Sequence, residues 1–153
     1  MHRFVPSALL PGVVAVAALI GVADPVVGAA KPTYCPEAAA LQAALVVRDR
    51  LSDPNAPTYP KAHVAALDGI LKTQKALEAK LSGDQKAILS AERKQTQKIR
   101  AAVAKGKTST EQTQNAMVVL LDSNPQATKA LEAVAKLYPA IDKACATKLV
   151  GRR

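Results

Sequence analysis

In the stretch TYPKAHVAAL a tyrosine, Tyr59, stands four residues before a histidine, His63. On a helix that spacing sets the two side chains on one face, a turn apart. A phenolate is a hard anionic ligand suited to ferric iron, and an imidazole one turn away can accept or share the phenol's proton. The same two residues also fit an ordinary helix entrance. Pro60 biases Tyr59 towards extended backbone and suits a first turn, leaving His63 at the wet end of an apolar stripe. Both readings stay open at the level of sequence.

Other catalytic constellations are mostly excluded by what the chain lacks. His63 is the only histidine after the first thirty residues, so a zinc site of three or four nitrogen or sulfur ligands cannot be assembled. The serines, Ser52, Ser82, Ser90, Ser109 and Ser123, lie in no nucleophile-elbow context, and neither S-x-x-K nor a glycine-rich phosphate loop occurs. Asp49 and Asp53 stand a turn apart, a spacing that more often marks solvated surface than an acid–base dyad. The expectation is a protein that is not an enzyme. A helical enzyme of the chorismate mutase type, which holds a dicarboxylate with arginines and lysines, is the most distant of three readings.

Cations gather in ERKQTQKIRAAVAKGK, where Arg93, Lys94, Lys98, Arg100, Lys105 and Lys107 follow Glu92 without an acidic residue among them. They suit an anionic partner, and they also complement the negative end of a helix dipole. Single-stranded nucleic acid would call for aromatic platforms between the charges. Beyond residue 30 the chain has three tyrosines and neither tryptophan nor phenylalanine, so no nucleic-acid partner is expected.

The first thirty residues read as a secretory signal peptide. They have a short basic start at His2 and Arg3, an apolar stretch from Gly12 to Ala23, and small residues at Gly28, Ala29 and Ala30 before an expected cleavage. The apolar stretch is shorter than the ~20 residues a membrane span needs, so no transmembrane anchor is expected after cleavage. Removing Arg3 and Asp24 takes away one charge of each sign, and residues 31–153 keep the net charge of +9. Outside the cell that charge favours acidic envelope polymers, anionic lipid headgroups or acidic small molecules rather than genomic DNA. Cys35 and Cys145, an even count near the two ends of an exported chain, are expected to form one disulfide.

These residues need elements to hold them, and apolar positions recur at three and four residues with no sustained alternation at two. The expected fold is all-α: a four- to five-helix up-and-down bundle in a single domain over 31–153, closed by one terminal disulfide. A first helix starts at Pro36 and carries Leu41, Leu45 and Leu51. A second runs from about Pro60 to Leu81 with His63, Leu67, Ile70 and Leu77 on its stripe, closing at Gly83. Asp84 is read as N-cap of a third, which bears Ile88, Leu89, Ile99 and Val103. Thr108 and Glu111 have capping-box spacing and open a short fourth helix bearing Met117, Val118, Leu120 and Leu121. That helix is the candidate cap or crossing piece, because an end-to-end disulfide favours an even number of passes. Asn124 caps a last helix whose stripe, Leu131, Val134, Tyr138, Ile141, Cys145 and Leu149, keeps phase across Pro139 with a kink expected there.

The tail DSNPQATKALEAVAKLYPAIDKAC, with an early cysteine opening an alanine-rich helix, resembles the secreted mycobacterial hemophore-related proteins over about forty residues. In that family haem binding goes with a tyrosine followed four residues later by a histidine, a spacing that Tyr59 and His63 match. Here Pro60 follows the tyrosine, and the middle of the chain is longer and richer in lysine and glutamine. The resemblance implies a small exported helical domain that carries haem at Tyr59 and His63; physically, Tyr59 would ligate the iron, with His63 beside it, and lysines nearby could meet the propionates. The expectation is a secreted binding protein for haem or another acidic ligand. A cationic, envelope-associated structural or interaction protein is the alternative.

Overall fold

The structure is a computed structural model, described here for residues 30–51, 53–122 and 125–150. The expected signal peptide, apart from Ala30, lies outside the described residues, as do Ser52, Ser123, Asn124 and the side chain of Leu131. Five helices follow in order: α1 (Cys35–Asp49), α2 (Tyr59–Lys80), α3 (Gly83–Val103), α4 (Ser109–Leu121) and α5 (Pro125–Cys145). No strand occurs among the described residues, and the protein is an all-α bundle. None of the described helices is long and apolar enough to cross a membrane.

Consecutive helices pair antiparallel where the chain turns tightly. Pro36 sits in the first turn of α1, where its missing N–H costs nothing, and Glu37 beside it faces the positive end of the helix. The α1 stripe Cys35, Ala38, Leu41, Leu45 is buried, and it shares one core cluster with Ile70 and Leu77 of α2 and Leu81 just past its end. Between α2 and α3 only Leu81 and Ser82 intervene, with Gly83 at φ +51°, a left-handed conformation that glycine adopts without strain. Ser82, in extended backbone, is therefore the N-cap of α3, and Asp84 lies within the first turn rather than at the cap.

The α2–α3 seam is half apolar and half polar. Near the turn, Leu77, Leu81 and Leu89 join the core. Further along, the rungs are Glu78 with Arg93, Gln74 with Thr96, and Asp68 with Arg100. Only Leu89 and Val103 of α3 are buried, so most of that helix is held by polar contacts and by its neighbours.

The fifth helix lies over α1 and α3 and completes the core with Val134, Leu137, Tyr138, Ile141 and Cys145. Tyr138, 8% exposed, donates its hydroxyl to Glu92 of α3 at 2.5 Å. Pro139 does not end α5. The helix stops at Cys145, one turn before Leu149, and Ala146 takes a left-handed φ of +55°. The Asp142 carboxylate then accepts from the backbone N–H of Leu149 (2.7 Å) and Val150 (3.0 Å), returning Leu149 to the core at 2% exposed. A disulfide joins Cys35 to Cys145 with Cα atoms 5.1 Å apart, tying the start of α1 to the end of α5.

The fourth helix is the exception to inward-facing stripes. It runs antiparallel along the C-terminal half of α3: Asn115 donates to the Ala102 carbonyl at 3.1 Å, and Gln112 to that of Gly106. Its single buried residue is Gln112. Met117, Val118, Leu120 and Leu121, expected to form a helix stripe, are exposed by 53, 65, 45 and 80%. The register set by Asn115 and Gln112 puts them level with residues 96–100 of α3, where Ile99 is the single apolar side chain, so they meet little apolar surface.

Candidate functional site

The corner where α2 begins and α3 hands over to α4 is organised by one buried amide. Thr108 caps α4 through its hydroxyl, which accepts the Glu111 N–H at 3.2 Å, while the Glu111 carboxylate accepts the N–H groups of Lys107 (2.6 Å) and Thr108 (3.3 Å). This capping box fixes the direction in which α4 leaves the turn. One residue further on, Gln112 is 1% exposed and meets three polar groups. Its Nε2 donates to the Pro60 carbonyl at the head of α2 (3.0 Å) and to the Gly106 carbonyl in the turn (3.3 Å), and its Oε1 lies 3.2 Å from His63 Nδ1. Both donors of the amide are spent on carbonyls, so the oxygen faces the imidazole and accepts from Nδ1–H. In the neutral imidazole that tautomer puts the lone pair on Nε2.

Tyr59 is the first residue of α2. Its N–H bonds the Ala56 carbonyl at 2.9 Å, so the turn over 56–59 tightens directly into helix and Tyr59 is helical rather than extended. Its ring lies against His63 with centroids 5.3 Å apart and planes at 48°. Both side chains are half-buried. An open groove of about 560 Å³ is lined by Pro57, Pro60, Val64, Ala65, Lys107 and Gln112, among others, and by neither Tyr59 nor His63. The structure thus brings Tyr59 and His63 together, and Gln112 was the member that sequence reasoning missed.

The six cations of the third-helix run do not form one patch. Arg93 donates to Glu78 at 2.6 Å, and Arg100 donates to both Asp68 oxygens at 2.8 and 2.9 Å. These two bind α3 to α2. Lys94, Lys98, Lys105 and Lys107 are exposed. Asp49 pairs with neighbouring Arg48 at 2.7 Å, and Asp53 accepts the Asn55 N–H in the loop, so the two carboxylates hold separate structural contacts. Among the described residues no group of three histidine, cysteine or acidic side chains could hold a metal ion.

The hydrogen bond from Arg93, chiefly, holds the Glu78 carboxyl below the ordinary glutamate value of 4.5, against the upward push of burial. Arg100 holds Asp68 below 3.8 in the same way. Because each folded value lies below the unfolded one, the stabilisation is complete above the unfolded value and fades as pH falls through the lowered one. Glu78→Gln is expected to lose about 1 kcal/mol at neutral pH, the scale of a largely screened ion pair. Urea unfolding should show that difference from the wild type disappearing as the solution is acidified below the ordinary carboxylate range. An equal loss at every pH would contradict it.

Compared with known proteins, the chain matches no family model, and no curated protein or solved structure is significantly similar to it.

Proposed function

We propose that this chain is an exported, non-enzymatic carrier that binds haem, or another planar acidic ligand, at the head of α2. In this reading Tyr59 ligates ferric iron through its phenolate oxygen, and His63 supports it. The observation that carries the reading is the Tyr59–His63 ring contact held in place by Gln112. An amide that fixes the imidazole tautomer leaves the second ring nitrogen as a base, which is the kind of support that tunes a ligand's basicity. A groove that shares Gln112 with the pair supplies apolar lining, and Lys61 and Lys107 in that lining suit carboxylates.

Hemin titration of the mature protein tests this. Added hemin is expected to give a shifted Soret band and a weak charge-transfer band, as electron density moves from phenolate oxygen to iron. Tyr59→Phe removes only that oxygen, so the charge-transfer band should vanish while helicity stays. His63→Ala should weaken binding by about 10- to 100-fold, as for a partner that orients a ligand. Hemin binding no tighter than to an unrelated basic helical protein, or no change in Tyr59→Phe, would reduce the pair to a helix entrance.

A second reading, an envelope-associated protein working through its cationic surface, is favoured by one observation. Four lysines of the third-helix run remain exposed after the two arginines are paired within the chain.

A further inference from the structure

The exposed end of α4 is the largest departure of this molecule from an apolar-inside pattern. Met117 is 53% exposed, Val118 65% and Leu121 80%, all within the last five residues of one helix. Of the other exposed large apolar residues among those described, Leu120 lies in the same stretch, and Val47 and Val150 lie on other segments. Single exposed apolar side chains are ordinary; several on one convex helix end mark a surface that is covered in use.

The surroundings of that end identify what covers it. The pairing of α4 with α3 sets Gln112 opposite Gly106 and Asn115 opposite Ala102. Continued along both helices, this antiparallel register brings 117–121 level with 96–100, between Lys94 and Lys105. Lys94 and Lys98, one turn apart, share a face of α3, and both they and Lys105, just past the end of that helix, are exposed. The apolar end therefore has lysines on and just past the adjacent helix. A second copy of the chain is a poor occupant, because each copy carries the same lysines and a net charge of +9. An anionic lipid surface offers both complements at once: acyl chains for the apolar tip and headgroup phosphates for the lysines.

We infer that the C-terminal end of α4, with Lys94 and Lys98 of α3 and Lys105 just past its end, docks peripherally on an anionic membrane surface. The docking is interfacial and reversible, since none of the described helices could span a bilayer. It leaves the α2 head, with Tyr59 and His63, to be judged separately.

Hemin-free protein cosedimented with vesicles of phosphatidylglycerol and phosphatidylcholine tests the inference. Binding is expected to phosphatidylglycerol-containing vesicles and to fall steeply on vesicles of phosphatidylcholine alone. Val118→Ser with Leu121→Ser should weaken it about tenfold or more, the scale of withdrawing two aliphatic side chains from an apolar contact. Lys94→Gln, Lys98→Gln and Lys105→Gln together should remove most of its salt sensitivity. Because the chain has no tryptophan, Leu121→Trp is a direct reporter, whose emission should shift to the blue when vesicles are added. Absence of vesicle binding overturns the inference, as does a serine pair that binds as well as wild type, which would leave surface charge as the whole cause. A dimer that the serine pair dissolves also overturns it, assigning the face to a second copy. None of these substitutions touches Tyr59 or His63, so failure here leaves the carrier proposal standing.

Discussion

Removing the disulfide is expected to cost this bundle about 2 to 4 kcal/mol and to lower its Tm by roughly 10 to 20 °C. Cys35 and Cys145 are separated by 110 positions, so the bond closes nearly the whole folded domain into one loop. For a loop that long the chain-entropy estimate is about 4 to 5 kcal/mol, and measured values commonly fall below it. Enthalpy adds to the effect here, because both cysteines belong to the hydrophobic core, at 9 and 7% exposed. Position adds more. The bond fastens the first turn of α1 to the last of α5, and without it both ends can fray and release Leu149 and Tyr34 from the cluster. Cys35→Ala with Cys145→Ala, melted by circular dichroism beside the oxidised protein, measures the loss. The bond's burial adds a kinetic expectation, that reductant breaks it at the rate of unfolding rather than on contact. A double variant melting within about 2 °C of wild type would show that core packing alone holds the ends together.

Much of this fold is legible in the sequence because its signals are local. The leucine stripes of α1 and α2, the first-turn prolines, the Thr108–Glu111 capping box and the paired cysteines each depend on spacings within one element or on a count. What the sequence conceals depends on facing elements. The stripe of α4 has the same helical spacing as the others, yet Met117, Val118 and Leu121 are exposed because the opposite half of α3 is polar. Arg93 and Arg100 look like members of a basic cluster until an antiparallel α2 brings Glu78 and Asp68, 15 and 32 positions away, against them. Leu149 continues the α5 stripe in register, but it is buried by a turn around Asp142 rather than by helix.

The candidate site follows the same division. Tyr59 and His63 are legible as a pair, since one helical turn brings them together whatever the tertiary structure. Gln112 is not, because its partners lie 49 and 52 positions upstream and a lone glutamine on a short helix carries no signal of burial. One faint cue does exist. Gly106 stands in the α3–α4 turn six residues before Gln112, and a glycine there invites the question of what approaches it.

That approach yields the second large prediction. A Cβ built on Gly106 would lie 2.6 Å from the Gln112 backbone nitrogen and 2.8 Å from its Cγ. The requirement is steric, since the nearest atom is backbone and cannot swing aside. Gly106→Ala is therefore expected to push α4 away from the turn, lengthening the bonds from Gln112 Nε2 to the carbonyls of Gly106 and Pro60. Overpacking and two weakened hydrogen bonds on a buried amide together predict a loss of about 2 to 4 kcal/mol. Gly69 supplies the control. It sits inside α2, where an added methyl would meet nothing within 4 Å, so Gly69→Ala should instead stabilise by about 0.5 to 1 kcal/mol through helix propensity. The two alanines thus move stability in opposite directions, and chemical denaturation of both variants measures the contrast. Hemin affinity provides a further readout, because displacing Gln112 frees His63 Nδ1 and should weaken hemin binding as His63→Ala does, while Gly69→Ala leaves it unchanged. If Gly106→Ala is as stable as wild type, the amide is not the bolt of this corner, and the tautomer assigned to His63 loses its support.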